Sequence, residues 1–216
     1  MANTPYYYYV ADEGYVRVMA DERNRILPFA VLKTNFAKRF SALGLIKKDL
    51  DLVKQALREL QNGVDNKIVK QSLAFYAVVT YAKTFAQAEG RGLKIDVSAI
   101  KDIPEEAREE HQRLIDQRNQ YVAHGGEGGW EQNAVVASLN IYNGEIDKIY
   151  PNIIFLKDID SQLENFWLLV AFVEDYVGNQ LKAIWPKLRQ ETLETEFENL
   201  MEQAISPDPS DLQQFN

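Results

Sequence analysis

Residues 102–124 read DIPEEAREEHQRLIDQRNQYVAH, and this stretch shows most clearly that the chain is helical. Asp102, Pro104 and the pair Glu105-Glu106 predict a helix start, because proline suits the first turn and carboxylates complement the N-terminal dipole. Glycines at 125, 126, 128 and 129 end the pattern after His124. The stretch therefore predicts one amphipathic helix of about six turns.

One stripe of this helix carries two residues that are not apolar. The stripe has spacings of three and four and consists of Ala107, His111, Leu114, Ile115, Arg118 and Val122. An arginine on the inner face needs a partner, because a buried unpaired charge costs several kcal/mol. Two interpretations stay open: a functional site, or an ion pair from Arg118 to Glu174 or Asp175 with His111 packed by a single hydrogen bond.

Glycine, proline and polar turn residues divide the rest of the chain into further helices and a hairpin. Helices are predicted at 27–43, ended by Gly44, at 48–60, at 66–89 and from Asp160 or Ser161 onward, where Pro186 is a candidate interruption. Residues 135–142 and 145–156 flank Asn143-Gly144, a dipeptide typical of tight hairpin turns. Residues 6–10 and 15–18 form a second candidate hairpin around residues 12–14.

The predicted fold class is therefore mostly α, a bundle of about five helices with an inserted antiparallel β-hairpin near residues 134–156. With 216 residues, 46% of them hydrophobic, the chain suits a single domain, 1–205. The polar, proline-containing residues 206–216 predict a disordered tail.

Composition excludes several classes of site and partner. The chain has no cysteine, which excludes disulfides, thiolate metal sites and cysteine nucleophiles and fits a cytoplasmic location. Its longest apolar run, 166–173, is far shorter than the roughly 20 residues of a membrane span, so no membrane association is predicted. The net charge of -8 disfavours broad nucleic-acid binding but leaves room for a local basic site.

Both histidines of the chain, His111 and His124, lie on the same helix as Arg118. The segment RNQYVAH, residues 118–124, resembles the signature of HEPN-domain proteins: an arginine, usually with a polar neighbour, then a short spacer and a histidine. The upstream run HQRLI, residues 111–115, resembles the histidine and apolar pair that precede this motif in some HEPN proteins.

The resemblance implies a metal-independent endoribonuclease or RNA-binding protein that acts as a homodimer in a toxin-antitoxin or phage-defence system, with RNA as substrate and an antitoxin protein as partner. It implies that Arg118 stabilises the phosphate, His124 acts as general base or acid, Asn119 orients one of them, and His111 is auxiliary. No metal and no cofactor are expected. The alternatives are a catalytically inactive HEPN-like dimeric interaction or nucleotide-binding module, and a helical scaffold unrelated to HEPN proteins.

Helix geometry limits how Arg118 and His124 can act together. Six residues of regular helix leave their side chains roughly 120° apart. They therefore need a distorted helix end or a second subunit to meet. An internal carboxylate that satisfies Arg118 would favour the inactive module.

Overall fold

A computed structural model describes residues 6–11, 14–19, 25–86, 92–123, 131–142, 144–155, 163–207 and 212–213. Within these ranges it contains five α-helices, α1 Asn35–Asn62, α2 Lys67–Lys83, α3 Glu105–Ala123, α4 Leu163–Glu194 and α5 Phe197–Glu202. A hairpin of β3 Glu131–Asn140 and β4 Glu145–Phe155 lies between α3 and α4. The predicted fold class, a mostly helical bundle with an inserted antiparallel hairpin, is confirmed.

Helix α1 replaces the two helices predicted at its position. Thr34 begins it, with its Oγ1 accepting a hydrogen bond from the Ala37 N–H at 3.1 Å. Gly44 does not end the helix, as the sequence predicted, but lies on its exposed face. The helix continues because a buried apolar stripe runs through both halves, and this outweighs the roughly 1 kcal/mol cost of an interior glycine. The stripe consists of Leu43, Ile46, Leu50, Val53, Leu57 and Leu60.

The other helix boundaries differ from the prediction in smaller ways. Asn66 caps α2, because its Oδ1 accepts hydrogen bonds from the N–H groups of Ile68 at 2.9 Å and Val69 at 3.2 Å. Helix α2 ends at Lys83 rather than near residue 89. Helix α4 passes through Pro186 without ending.

The chain divides into two compact units, residues 39–183 and residues 1–38 with 184–216. The prediction of a single domain, 1–205, stays a prediction. The larger unit holds the main helical core. In it, α2 contacts α3 through Tyr81 and His111, and contacts α4 through Tyr81 and Phe166. Lys54 of α1 forms an ion pair with Glu174 of α4 at 2.7 Å.

The hairpin of the larger unit reverses direction between Asn140 and Glu145, two residues earlier on the first strand than the sequence predicts. Gly144, the described member of the predicted Asn-Gly pair, has φ 73°, a left-handed conformation that favours glycine. The two strands pair antiparallel, with Ala137 opposite Ile149 and Leu139 opposite Ile146. The register shifts between Ser138 and Leu139, which leaves Asp147 as an extra residue in β4.

The smaller unit contains a three-stranded antiparallel sheet in the order β2, β1, β5. Strand β1 is Tyr6–Ala11, β2 is Gly14–Met19 and β5 is Leu212–Gln213. The candidate N-terminal hairpin is thus present. Residues 206–216 were predicted to be a disordered tail, whereas within this segment Leu212–Gln213 pair with β1.

Candidate functional site

Arg118 and Asn119 lie in the last two turns of α3. The Arg118 Nη1 donates a hydrogen bond to the Asn119 Oδ1 at 3.0 Å. Arg118 is partly buried and Asn119 is exposed. The Asn119 amide is thus a hydrogen-bond partner of the guanidinium, and its role as an orienting residue stays a prediction.

No described carboxylate neutralises Arg118. Among the residues that the structure describes, Asn119 is the one side chain with which it forms a hydrogen bond. Glu174, predicted as an alternative partner, instead accepts hydrogen bonds from Lys54 at 2.7 Å and Lys47 at 3.3 Å. The hydrogen bond from Lys54 is the main reason that the pKa of Glu174 lies below its usual value. Within the described part of the chain, the positive charge of Arg118 is thus available to an anion.

His124 falls outside the described residues, as does the glycine-containing segment after it. Helix α3 is described as far as Ala123, the residue immediately before this histidine. Its assignment as general base or acid stays a prediction.

His111, the auxiliary candidate, is a core residue. Only 4% of it is exposed, and its Nδ1 shares a hydrogen bond with the Tyr81 hydroxyl at 2.8 Å. The ring of Phe85 lies edge-on, with centroids 4.5 Å apart. Burial lowers the pKa of His111, because it penalises the charged imidazolium. The structure thus shows the packed histidine of the second interpretation, but not the ion pair from Arg118 to Glu174 that the same interpretation included.

Tyr81 is the centre around which α2, α3 and α4 meet. It is fully buried, and the rings of Phe85 and Phe166 lie at centroid distances of 5.3 Å and 5.5 Å. Burial, followed by the negative charge of Glu110, raises the pKa of its hydroxyl, so Tyr81 stays neutral. The Tyr81 cluster consists of Tyr81, Phe85, His111 and Phe166.

Glu110 is a buried carboxylate that the sequence pattern did not indicate. The carboxylate is 4% exposed and forms a two-point pair with Arg113, whose Nε donates to its Oε2 at 2.6 Å. A signal was present, because Glu110 lies three residues after Ala107 and four before Leu114, both buried. The spacing of Glu110 and Arg113 also suits an ion pair along one helix.

Neither a metal cluster nor a membrane helix is found in the described residues. The described ranges contain no group of three or more histidine, aspartate or glutamate side chains placed to hold a metal ion. None of the described helices combines the length and apolar character that crossing a membrane requires. The candidate site is thus the end of α3, with Arg118 and Asn119 described and His124 next along the chain.

The chain matches no protein-family model, no curated protein and no solved structure. The resemblance to HEPN proteins therefore rests on residues 111–124 of the sequence.

Proposed function

We propose that this chain is a metal-independent endoribonuclease of the HEPN type that acts as a homodimer in a toxin-antitoxin or phage-defence system. The observation that carries the proposal is that the charge of Arg118 is not neutralised by a described carboxylate. Arg118 lies at the end of α3, is held by Asn119 and has no carboxylate partner among the described residues. A cation of this kind suits binding of an RNA phosphate, whereas a neutralised one would not.

The proposed reaction needs two proton transfers and no metal. His124 takes the proton of a ribose 2'-hydroxyl as its oxygen attacks the adjacent phosphorus, a role that suits histidine because the unperturbed imidazole titrates near neutral pH. Arg118 stabilises the negative charge that builds on the phosphate oxygens. The 5'-oxygen leaves with a proton from a second imidazole, supplied by His124 of the other subunit. The products are a 2',3'-cyclic phosphate and a 5'-hydroxyl.

His111 takes no part in this reaction. Its imidazole is enclosed by Tyr81 and Phe85 in the helical core, and burial favours its neutral form. We assign it to the packing of α3 against α2.

The second candidate function is a catalytically inactive HEPN-like module that binds a nucleotide or a protein. The net charge of -8 favours it, because an acidic surface repels long RNA while a single cationic pocket still binds one phosphate. In this case Arg118 would bind the phosphate without cleavage.

The test is cleavage of total RNA in EDTA by the purified chain, with Arg118→Ala, His124→Ala and Arg58→Ala compared at equal fold and oligomeric state. Loss of Arg118 or His124 should lower the rate by roughly 10²–10⁴-fold. Arg58 is an exposed arginine of α1, so its loss should leave the rate unchanged. Intact RNA after incubation with a well-folded dimer, or full activity of Arg118→Ala, would overturn the endoribonuclease proposal.

A further inference from the structure

The two outer edges of the β3–β4 hairpin differ in how they are protected. The edge of β4 carries three features that discourage a further strand: the extra residue Asp147, the neighbouring charge of Lys148, and Pro151, which lacks an N–H donor. Natural sheets use these features to prevent edge-to-edge association. Strand β4 is thus built as an outer edge.

Strand β3 has none of these features over residues 132–140. This segment, QNAVVASLN, contains no charged residue and no proline, and it is rich in small and β-branched side chains. Within the described part of the chain, β3 pairs with β4 alone. The backbone groups along its outer edge are therefore open to another strand.

One face of the same hairpin is apolar and exposed. Val135 is 74% exposed and Leu139 68% on β3. On β4, Ile149 lies opposite Ala137 and is 66% exposed, and Ile146 lies opposite Leu139 and is 60% exposed. An isolated two-stranded hairpin is marginally stable in water, and a wider sheet with an apolar face is far more stable. A third strand at the β3 edge would extend this face.

We propose that β3 pairs antiparallel with β3 of a second copy of this chain, which gives a four-stranded sheet with the two β4 strands outside. Two copies of charge -8 repel each other, and the uncharged segment 132–140 is where close approach adds no like-charge contact. Antiparallel self-pairing is two-fold symmetric, so it uses both β3 edges at once and leaves the protected β4 edges outside. The contact is small, so we expect a micromolar dissociation constant.

This inference stands on the hairpin alone. An endoribonuclease could form its dimer through other surfaces, and β3 pairing requires no activity. RNA cleavage without β3 pairing would overturn only the pairing. Pairing of β3 without RNA cleavage would overturn only the endoribonuclease proposal.

The absence of cysteine from the chain makes disulfide trapping a direct test. Single variants Val135→Cys, Ala137→Cys and Leu139→Cys place a thiol on β3, and Ile149→Cys places one opposite Ala137 on β4. Directly opposite positions of neighbouring strands have Cβ atoms about 5 Å apart, close to disulfide geometry, whereas the two β4 strands would lie roughly 14 Å apart. We expect oxidation to give covalent dimers for at least one β3 variant and none for Ile149→Cys.

Two variants that each add one negative charge supply the second test. Ala137→Asp and Ile149→Asp place the same charge on the same face of the hairpin, but only the first lies on the proposed contact strand. Sedimentation equilibrium at up to about 100 µM should show a dimer whose dissociation constant rises at least about tenfold in Ala137→Asp and less in Ile149→Asp. A monomeric wild type, equal weakening by both charges, or a covalent dimer of Ile149→Cys would overturn the proposal.

Discussion

The Tyr81 cluster and the β3–β4 hairpin belong to the same compact unit and are both rich in large apolar side chains, but only the first buries them. Tyr81 and Phe166 are fully buried among three helices, whereas Val135 and Ile149 are mostly exposed. Apolar periodicity sets whether a segment forms a helix or a strand. Burial depends in addition on whether another element covers the apolar face. The hairpin therefore combines the side chains of a core with the exposure of a surface.

Truncation in the two regions should have very different costs. Phe166→Ala removes a fully buried ring that packs on Tyr81, so we expect the free energy of unfolding to fall by about 3–5 kcal/mol. Ile146→Ala in the hairpin should cost about 0.5 kcal/mol or less, because its side chain is already exposed. Urea denaturation followed by circular dichroism at low protein concentration measures both. Equal losses would mean that the hairpin side chains are covered in solution.

Acid should weaken the Tyr81 cluster through His111, whereas residues 131–155 contain no histidine. The folded state lowers the pKa of His111, so its neutral form is favoured and the unfolded chain binds the extra proton first. The contribution of His111 to stability is complete above the unfolded pKa of about 6.5 and is lost as the pH falls from there to the folded pKa.

The loss should reach a slope of up to about 1.4 kcal/mol per pH unit. Unfolding free energies measured between pH 7.5 and about 5.5 should show this slope in the wild type and in His124→Ala, but not in His111→Gln. A slope that disappears with His124 and survives loss of His111 would contradict the assignment.

A small effect is also expected where charged groups, rather than rings, join the helices of the bundle. Lys54→Met removes the 2.7 Å contact with Glu174 between α1 and α4. Both side chains are about a quarter exposed, so solvent screens the pair, and a loss of about 0.2–1 kcal/mol is expected. Lys48→Met, an exposed lysine of the same helix, is the matched control. The difference in unfolding free energy between the two variants should shrink in 1 M salt, because salt screens an ion pair but does not weaken a purely apolar contact.

The elements that local chemistry determines could be predicted from sequence. The left-handed Gly144 between the hairpin strands and the start of α3 after Pro104 depend on a few adjacent residues. The end placed at Gly44 was wrong, because the burial of distant side chains along α1 outweighs the local cost of glycine. The five helices of the described residues agree in number with the prediction only because α1 replaces two predicted helices and the sequence does not predict the short α5.

In the candidate site, too, local contacts could be predicted from sequence and distant contacts could not. The inward position of His111 follows from helical spacing, and the hydrogen bond of Arg118 joins adjacent residues. The pairing of Glu174 with Lys54 and Lys47 joins residues more than a hundred positions apart, and no local pattern indicates it. Local spacing thus predicts which residues of α3 face inward, but not which charged side chains are paired with distant partners.

The pairing of β1 with β5 has a consequence for synthesis on the ribosome. Tyr8 and Tyr9 of β1 lie opposite Gln213 and Leu212, so this sheet joins strands separated by the whole of residues 39–183. During translation β1 is synthesised before the larger unit and β5 after it. Strand β1 therefore has no β5 partner until the larger unit has been synthesised. Closing so long a stretch of chain is entropically costly unless the intervening residues are already compact. The larger unit is therefore expected to fold before the β2–β1–β5 sheet is completed.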